Sequence, residues 1–183
     1  MKESKTMEIE KYQEAVEHIA ENHKNVFFEN RGSDHASIVL ANLIRHSKEE
    51  VKIFTEKLDD VVFSLAACED SLEDFINKSE KKMQVLLEKQ PEVMSSALKK
   101  VMDAKKKYPS RFQIKIATQE CLDAMHETFE GMGHFALADN SSYRIEVDCK
   151  NFKAICNFND PKLVSGFSKL FSHFFNKAPI YSA

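Results

Sequence analysis

The chain contains no tryptophan and has only four glycines, four prolines and four cysteines in 183 residues. So few glycines and prolines argue against a long flexible linker or a loop-rich disulfide scaffold. Cys68, Cys121, Cys149 and Cys156 stand singly, with no C-x-x-C and no paired ligand spacing. They are expected to be four buried, reduced thiols in a cytoplasmic protein. No apolar run approaches membrane-spanning length, and the charged start M-K-E-S-K lacks the apolar core of a signal peptide. A net charge of −3 and a pI of about 6.2 leave no global field to draw the chain to nucleic acid or anionic lipid.

What is present suits one domain with a full core: 43% hydrophobic residues, 30% charged residues and fourteen phenylalanines. The chain divides into an N-terminal helix and tail (1–25), an α/β domain (26–177) and a short tail (178–183). Residues 1–7 are polar and expected to fray. Tyr12, Ala15, Val16 and Ile19 follow helical spacing, which predicts an amphipathic helix over 7–21. Val26-Phe27-Phe28 reads as a strand. Ser33 or Asp34 is the expected cap of a helix that carries Ala36, Val39, Leu40 and Leu43 and ends near Ser47.

Strands are predicted at Val51–Thr55, Lys82–Leu87 and Phe112–Ile116, each followed by helical periodicity. The intervening helices are expected to open at Asp70-Ser71, at Pro91 and at Thr118. Phe135–Ala138 and Tyr143–Val147 flank Asp139-Asn140-Ser141-Ser142 as a hairpin. A strand from Phe152 to Cys156 follows, then an Asp160-Pro161 cap and a helix with Leu163, Val164, Phe167, Leu170, Phe171 and Phe174 on one stripe. Such alternation predicts a layered α/β sandwich, a mixed β-sheet covered by helices.

The stretch G-M-G-H-F-A-L-A-D-N-S-S-Y-R-I-E-V-D from Gly131, the strand after it, N-D-P and the Phe-rich helix to Lys177 resemble the end of one half of the phospholipase D-like superfamily. The resemblance extends over roughly Val26 to Asn176. It implies an α/β unit contributing one H-x-K-x4-D motif, with two halves meeting at a two-fold axis. With Asp139 at the motif aspartate, His134 takes the lysine position and Met132 the histidine position. With His134 as the motif histidine, Ala136 and Ser141 take the other two places. In either register two of three motif residues are absent, although the family's chemistry needs a histidine nucleophile and a lysine.

The resemblance therefore implies a non-catalytic binding or interaction module, recognising a nucleotide or nucleic acid at a relic cleft. It also implies a homodimer, because one copy supplies half of a two-fold site. The competing reading is a dimeric phosphodiesterase or nuclease with His134 as nucleophile, and a protein partner is the third.

Candidate ligand-binding residues come from two polar clusters. Arg144 and Glu146 are two apart in a strand and share one face, opposite Tyr143, Ile145 and Val147. That charged face needs a partner or a cleft, and His134 and Asp139 border it. A regular strand sends His134 and Asp139 to opposite faces. Glu29 to His35 follows a strand and opens a helix, where Arg31 and His35 are candidates to join the same cleft.

Lys99, Lys100, Lys105, Lys106, Lys107 and Arg111 form the basic run; a solvated helix face and nucleic-acid backbone contact are the two readings. His18 and His23 are five apart, off a shared helical face, and His126 and His134 lack a second ligand pair. No metal and no cofactor is expected. The Phe stripe of the last helix is read as core, with breadth enough to feed a subunit interface.

Overall fold

The computed structural model describes residues 2–78, 80–128 and 133–181, with side chains described for all of these except 2–5 and 126. In chain order the elements are α1 (Lys2–Glu21), β1 (Phe28–Asn30), α2 (Gly32–His46), β2 (Glu50–Thr55), α3 (Asp60–Phe63) and α4 (Ala66–Lys78). There follow β3 (Lys82–Leu87), α5 (Ser96–Lys107), β4 (Phe112–Ile116), α6 (Gln119–Thr128), β5 (Phe135–Ala138), β6 (Ser142–Asp148), β7 (Lys153–Asn157) and α7 (Pro161–Lys177). The strands form one sheet in the order β1-β7-β6-β5-β2-β3-β4. β2, β3 and β4 run parallel, while β5, β6, β7 and β1 add antiparallel neighbours on the other side of β2.

Helices cover both faces, which gives the layered α/β sandwich expected from the sequence. Val51 and Ile53 of β2, Met83, Val85 and Leu87 of β3 and Ala136 and Ala138 of β5 bury against α1, α2, α4 and α5. The alternate positions Phe54, Leu86, Phe135, Leu137, Tyr143 and Ile145 pack with α6 and α7. Two covered faces explain why β3 is buried at four of its last five positions instead of alternating cleanly. Val164, Phe167, Phe171, Phe174 and Phe175 of α7 are buried, so the aromatic stripe is core.

Several boundaries move for identifiable reasons. α2 begins at Gly32, which takes φ 79, and Arg31 is its N-cap without a side-chain cap bond, so neither Ser33 nor Asp34 has that role. α4 starts at Ala66, ahead of Asp70-Ser71, and follows the short α3, which Asp59 caps through its carboxylate on the Val61 N–H. Pro91 lies in a loop; α5 begins after Ser95, whose hydroxyl accepts from the Leu98 N–H and satisfies a helix-end donor. Val26 and Phe27 precede β1 and are exposed. Asp160 does cap α7, accepting from Leu163 N–H at 3.1 Å, with Pro161 in the first turn. At the far edge the chain after α7 returns along β4, where Ile116 N–H donates to Pro179 O and Tyr181 N–H to Ile114 O. That pairing covers an otherwise open sheet edge.

Candidate functional site

The α2-facing side of the antiparallel half carries two adjacent rows of side chains. Phe28, Cys156, Arg144 and Ala136 are successive cross-strand neighbours in one row. Asn30, Ala154 and Glu146 form the next. His134 extends that row, because the ladder continues through Glu146 N–H to His134 O at 2.8 Å and Gly133 N–H to Glu146 O at 2.7 Å. Alternation puts Tyr143 and Ile145 into the α7 core and leaves Arg144 and Glu146 together on the polar face.

Both are nearly sealed from solvent, at 4% and 6% exposure, so their charges must be satisfied internally. The Arg144 guanidinium donates to Glu146 Oε1 at 2.8 Å, to Asn30 Oδ1 at 2.9 Å and to the Phe152 carbonyl at 3.2 Å. Asn30 closes the network by donating from Nδ2 to the same carbonyl at 2.6 Å. Phe152 supplies that carbonyl from a left-handed backbone, φ 51, a costly conformation for a non-glycine residue.

The second oxygen of Glu146 lies 3.1 Å from His134 Nδ1, and Glu88 Oε1 lies 3.2 Å from Nε2. Burial pulls the His134 pKa down, but Cys149, Glu146 and Glu88 outweigh it and push the pKa up to about 11. Burial likewise works against ionised Glu146, and the contacts with His134 and Arg144 more than compensate, holding its pKa below the ordinary carboxylate range. The Glu56 N–H also reaches Nε2, at 3.1 Å, which suits a neutral ring; the two carboxylates favour the imidazolium. Its two N–H groups then point at carboxylates, and no lone pair remains for nucleophilic attack.

His134, Arg144, Glu146, Glu56 and Cys149 border a cavity of about 320 Å³, which Glu88 does not line. Phe54, Phe63, Phe135 and Phe152 contribute apolar walls, while Lys57 and Lys150 add cations. The cavity lies beside the carboxyl end of β2, the side of a parallel strand where α/β folds collect ligands.

His134, Arg144 and Glu146 therefore come together, but the other candidates stand elsewhere. Asp139 sits at the opposite end of β5, where its carboxylate accepts from the N–H groups of Lys48, Glu49 and Glu50 at 2.7, 2.8 and 3.0 Å. It ties the hairpin turn to the start of β2. Arg31 is one residue beyond Asn30 and so faces the other way; its side chain is 76% exposed and paired with Glu29 at 3.4 Å. His35 stacks on Tyr12 with ring centroids 3.8 Å apart. None of these three lines the cavity. Met132, the motif-histidine position in one register, lies outside the described residues.

The basic run is dispersed among separate partners: Lys100 on Glu69 and Glu73, Lys106 on Asp103, Lys105 on the Tyr181 carbonyl and Arg111 on the Lys81 carbonyl. Sequence reasoning missed Asn30, Glu88 and Cys149. The signal for Glu88 was its place directly after a predicted strand, at the carboxyl end of the sheet. Cys149 is exposed, unlike the three other thiols and contrary to expectation, because it opens a short 3₁₀ turn after β6. His134, Glu146 and Cys149 bring a ring nitrogen, a carboxylate oxygen and a sulfur within 4.8 Å of one another. The sequence spacing gave no hint of such a donor set.

Residues 32–180 match a family model described as Domain of unknown function (DUF7931). No curated protein matches the chain by sequence. Among solved structures, it is similar to TrmBL2, an archaeal chromatin protein with a novel mode of DNA binding (TM-score 0.57, 16% identity). That match covers 98% of this chain and 65% of TrmBL2, so the chain spans just under two thirds of that protein. It is also similar to Nuc, a phospholipase D family member from Salmonella typhimurium (TM-score 0.56, 10% identity), with 86% of this chain and 100% of Nuc covered. Phosphatidylserine synthase from Haemophilus influenzae Rd KW20 matches with TM-score 0.52 and 8% identity over 86% of this chain and 40% of the synthase. At these identities the shared property is the fold, and it is phospholipase D-like.

Proposed function

The chain belongs to the DUF7931 family, and we propose that it is a non-catalytic phospholipase D-like module that binds a nucleotide or nucleic acid in the cleft beside His134. The observation that carries this reading is the setting of His134. It occupies the motif lysine position when Asp139 takes the aspartate place, and Glu88 and Glu146 on its two nitrogens raise its pKa and favour the imidazolium. His134 borders the cleft, and as an imidazolium it has no lone pair with which to attack phosphorus. Phe54, Phe63 and Phe152 offer apolar surface for a base, and Lys57 and Lys150 offer charge for phosphate. The DNA-binding chromatin protein among the structural neighbours is compatible with the ligand class.

Match lengths support treating the chain as one half-unit, since it corresponds to the whole of Nuc but under half of the synthase. We accordingly propose a homodimer. Light scattering at micromolar concentration tests it, and a monomer would remove this part of the reading.

The functional test pairs calorimetric titration of mononucleotides and short oligonucleotides with a turnover assay on a generic phosphodiester. Saturable binding without turnover is expected. Turnover abolished by His134→Ala would replace the proposal with the dimeric phosphodiesterase reading, and absence of any binding would leave a protein-interaction module.

A further inference from the structure

We propose that His134, Glu146 and Cys149 form a binding site for one divalent transition metal of the zinc class, an alternative state of the same cleft in which the His134 ring gives up a proton to become a ligand. The donor set is one imidazole, one carboxylate and one thiol, all within 4.8 Å of one another. Nitrogen and sulfur donors select zinc-like ions over magnesium or calcium, which take oxygen. The 3.1 Å between His134 Nδ1 and Glu146 Oε2 matches the separation of about 3.3 Å between two ligands bonded at about 2.0–2.1 Å to one tetrahedral ion.

The surroundings are arranged as such a site requires. A ligating histidine usually gives its other N–H to a carboxylate, and Glu88 stands 3.2 Å from Nε2 to receive it, in place of the Glu56 N–H that reaches this nitrogen in the metal-free chain. That leaves Nδ1 as the ligand atom, on the Glu146 side. Arg144 holds the other Glu146 oxygen at 2.8 Å, which fixes the carboxylate and keeps Oε2 as a single donor. Cys149 is fixed at the start of its 3₁₀ turn by Asp148, whose carboxylate accepts from Lys150 and Asn151 N–H groups. Gly133 makes room for the sulfur: a Cβ at this position would lie 2.2 Å from Cys149 Sγ. A side chain there would displace the thiol from His134.

All three donors line the cavity. Three protein ligands leave a fourth position, which faces that space and suits water or an anionic oxygen. Binding requires the thiol and the ring nitrogen to give up their protons to solvent. Arg144, Lys57 and Lys150 are the cations bordering the cavity, and the charge of Arg144 is already matched by Glu146.

The experiment uses the full chain, stripped with chelator and kept reduced, titrated with Zn²⁺ against a chromophoric competitor and with Co²⁺ by absorbance, in the absence of nucleotide. One equivalent should bind, and the Co²⁺ form should show a thiolate charge-transfer band. Cys149→Ser, a change at an exposed position that leaves the core intact, should remove the band and weaken Zn²⁺ binding. Glu88→Gln should keep the band and lower affinity by about 10–100-fold, the usual effect of losing an outer-shell partner. Failure to bind one equivalent, or a band and affinity that survive Cys149→Ser, would overturn the proposal. Nucleotide binding is measured separately, on the metal-free protein, so that failure of one reading is distinguishable from failure of the other.

Discussion

His134 and Glu146 face one another across the β5–β6 hairpin, with Nδ1 3.1 Å from Oε2 and their backbones joined by the bond from Glu146 N–H to His134 O. Glu146 is thereby shared between two cations, since its other oxygen belongs to Arg144. The whole polar layer depends on that sharing. Removing Arg144 or Glu146 strips a buried charge of a partner, which is more costly than the pair was ever worth.

Arg144→Ala should therefore cost about 3–5 kcal/mol, the range for breaking a buried ion pair from one side. Urea denaturation measures it. A loss under 1 kcal/mol would mean that water enters the layer and solvates Glu146.

The pH dependence follows from His134. Its folded pKa of about 11 stands above the ordinary value of 6.5, so its stabilising contribution is fully present below 6.5 and is lost as pH rises through 11. Glu146 has the opposite sign: its pKa is depressed, so its contribution is present above the ordinary carboxylate range and disappears as pH falls through the folded value. Thermal melts of the wild type should decline on the alkaline side, and His134→Gln should flatten that decline. Parallel profiles for the two proteins would show that His134 is not the titrating group.

His134→Ala is expected to weaken nucleotide binding by at least tenfold, a loss of about 1.4 kcal/mol, with no turnover in either protein. Calorimetry reads the affinity. Unchanged affinity would place the ligand outside this cleft.

Asp139→Ala removes a carboxylate that accepts three backbone N–H bonds. Hydrogen bonds to a charged acceptor are worth about 1.5–3 kcal/mol, so a stability loss of about 2 kcal/mol is expected, with nucleotide affinity intact because Asp139 lies at the other end of β5. A loss of affinity without loss of stability would contradict its anchoring role.

Arg31→Ala should change neither property, with stability within about 0.5 kcal/mol of wild type as is usual for exposed positions. Its side chain is exposed and its Glu29 contact is a surface pair. A marked drop in ligand affinity would return it to the site.

By itself the sequence determined the layered architecture, because strand and helix periodicities are local. Lys82–Leu87 and Phe112–Ile116 emerge with the boundaries their alternation predicts. It also determined that Arg144 and Glu146 share a face, since a strand's period of two needs no knowledge of neighbours. Only the tertiary structure decided what joins them. Asn30, Glu88 and Cys149 come from three separate segments, two of them more than 55 positions from Glu146, and no local spacing encodes that meeting. The same logic separates Arg31 from Asn30: adjacent in sequence, they point to opposite sides of the chain, and pairing of β1 with β7 decided which one entered the polar layer. Asp139 was legible as a turn residue, but its three backbone partners at the start of β2 exist only because β5 lies beside that strand.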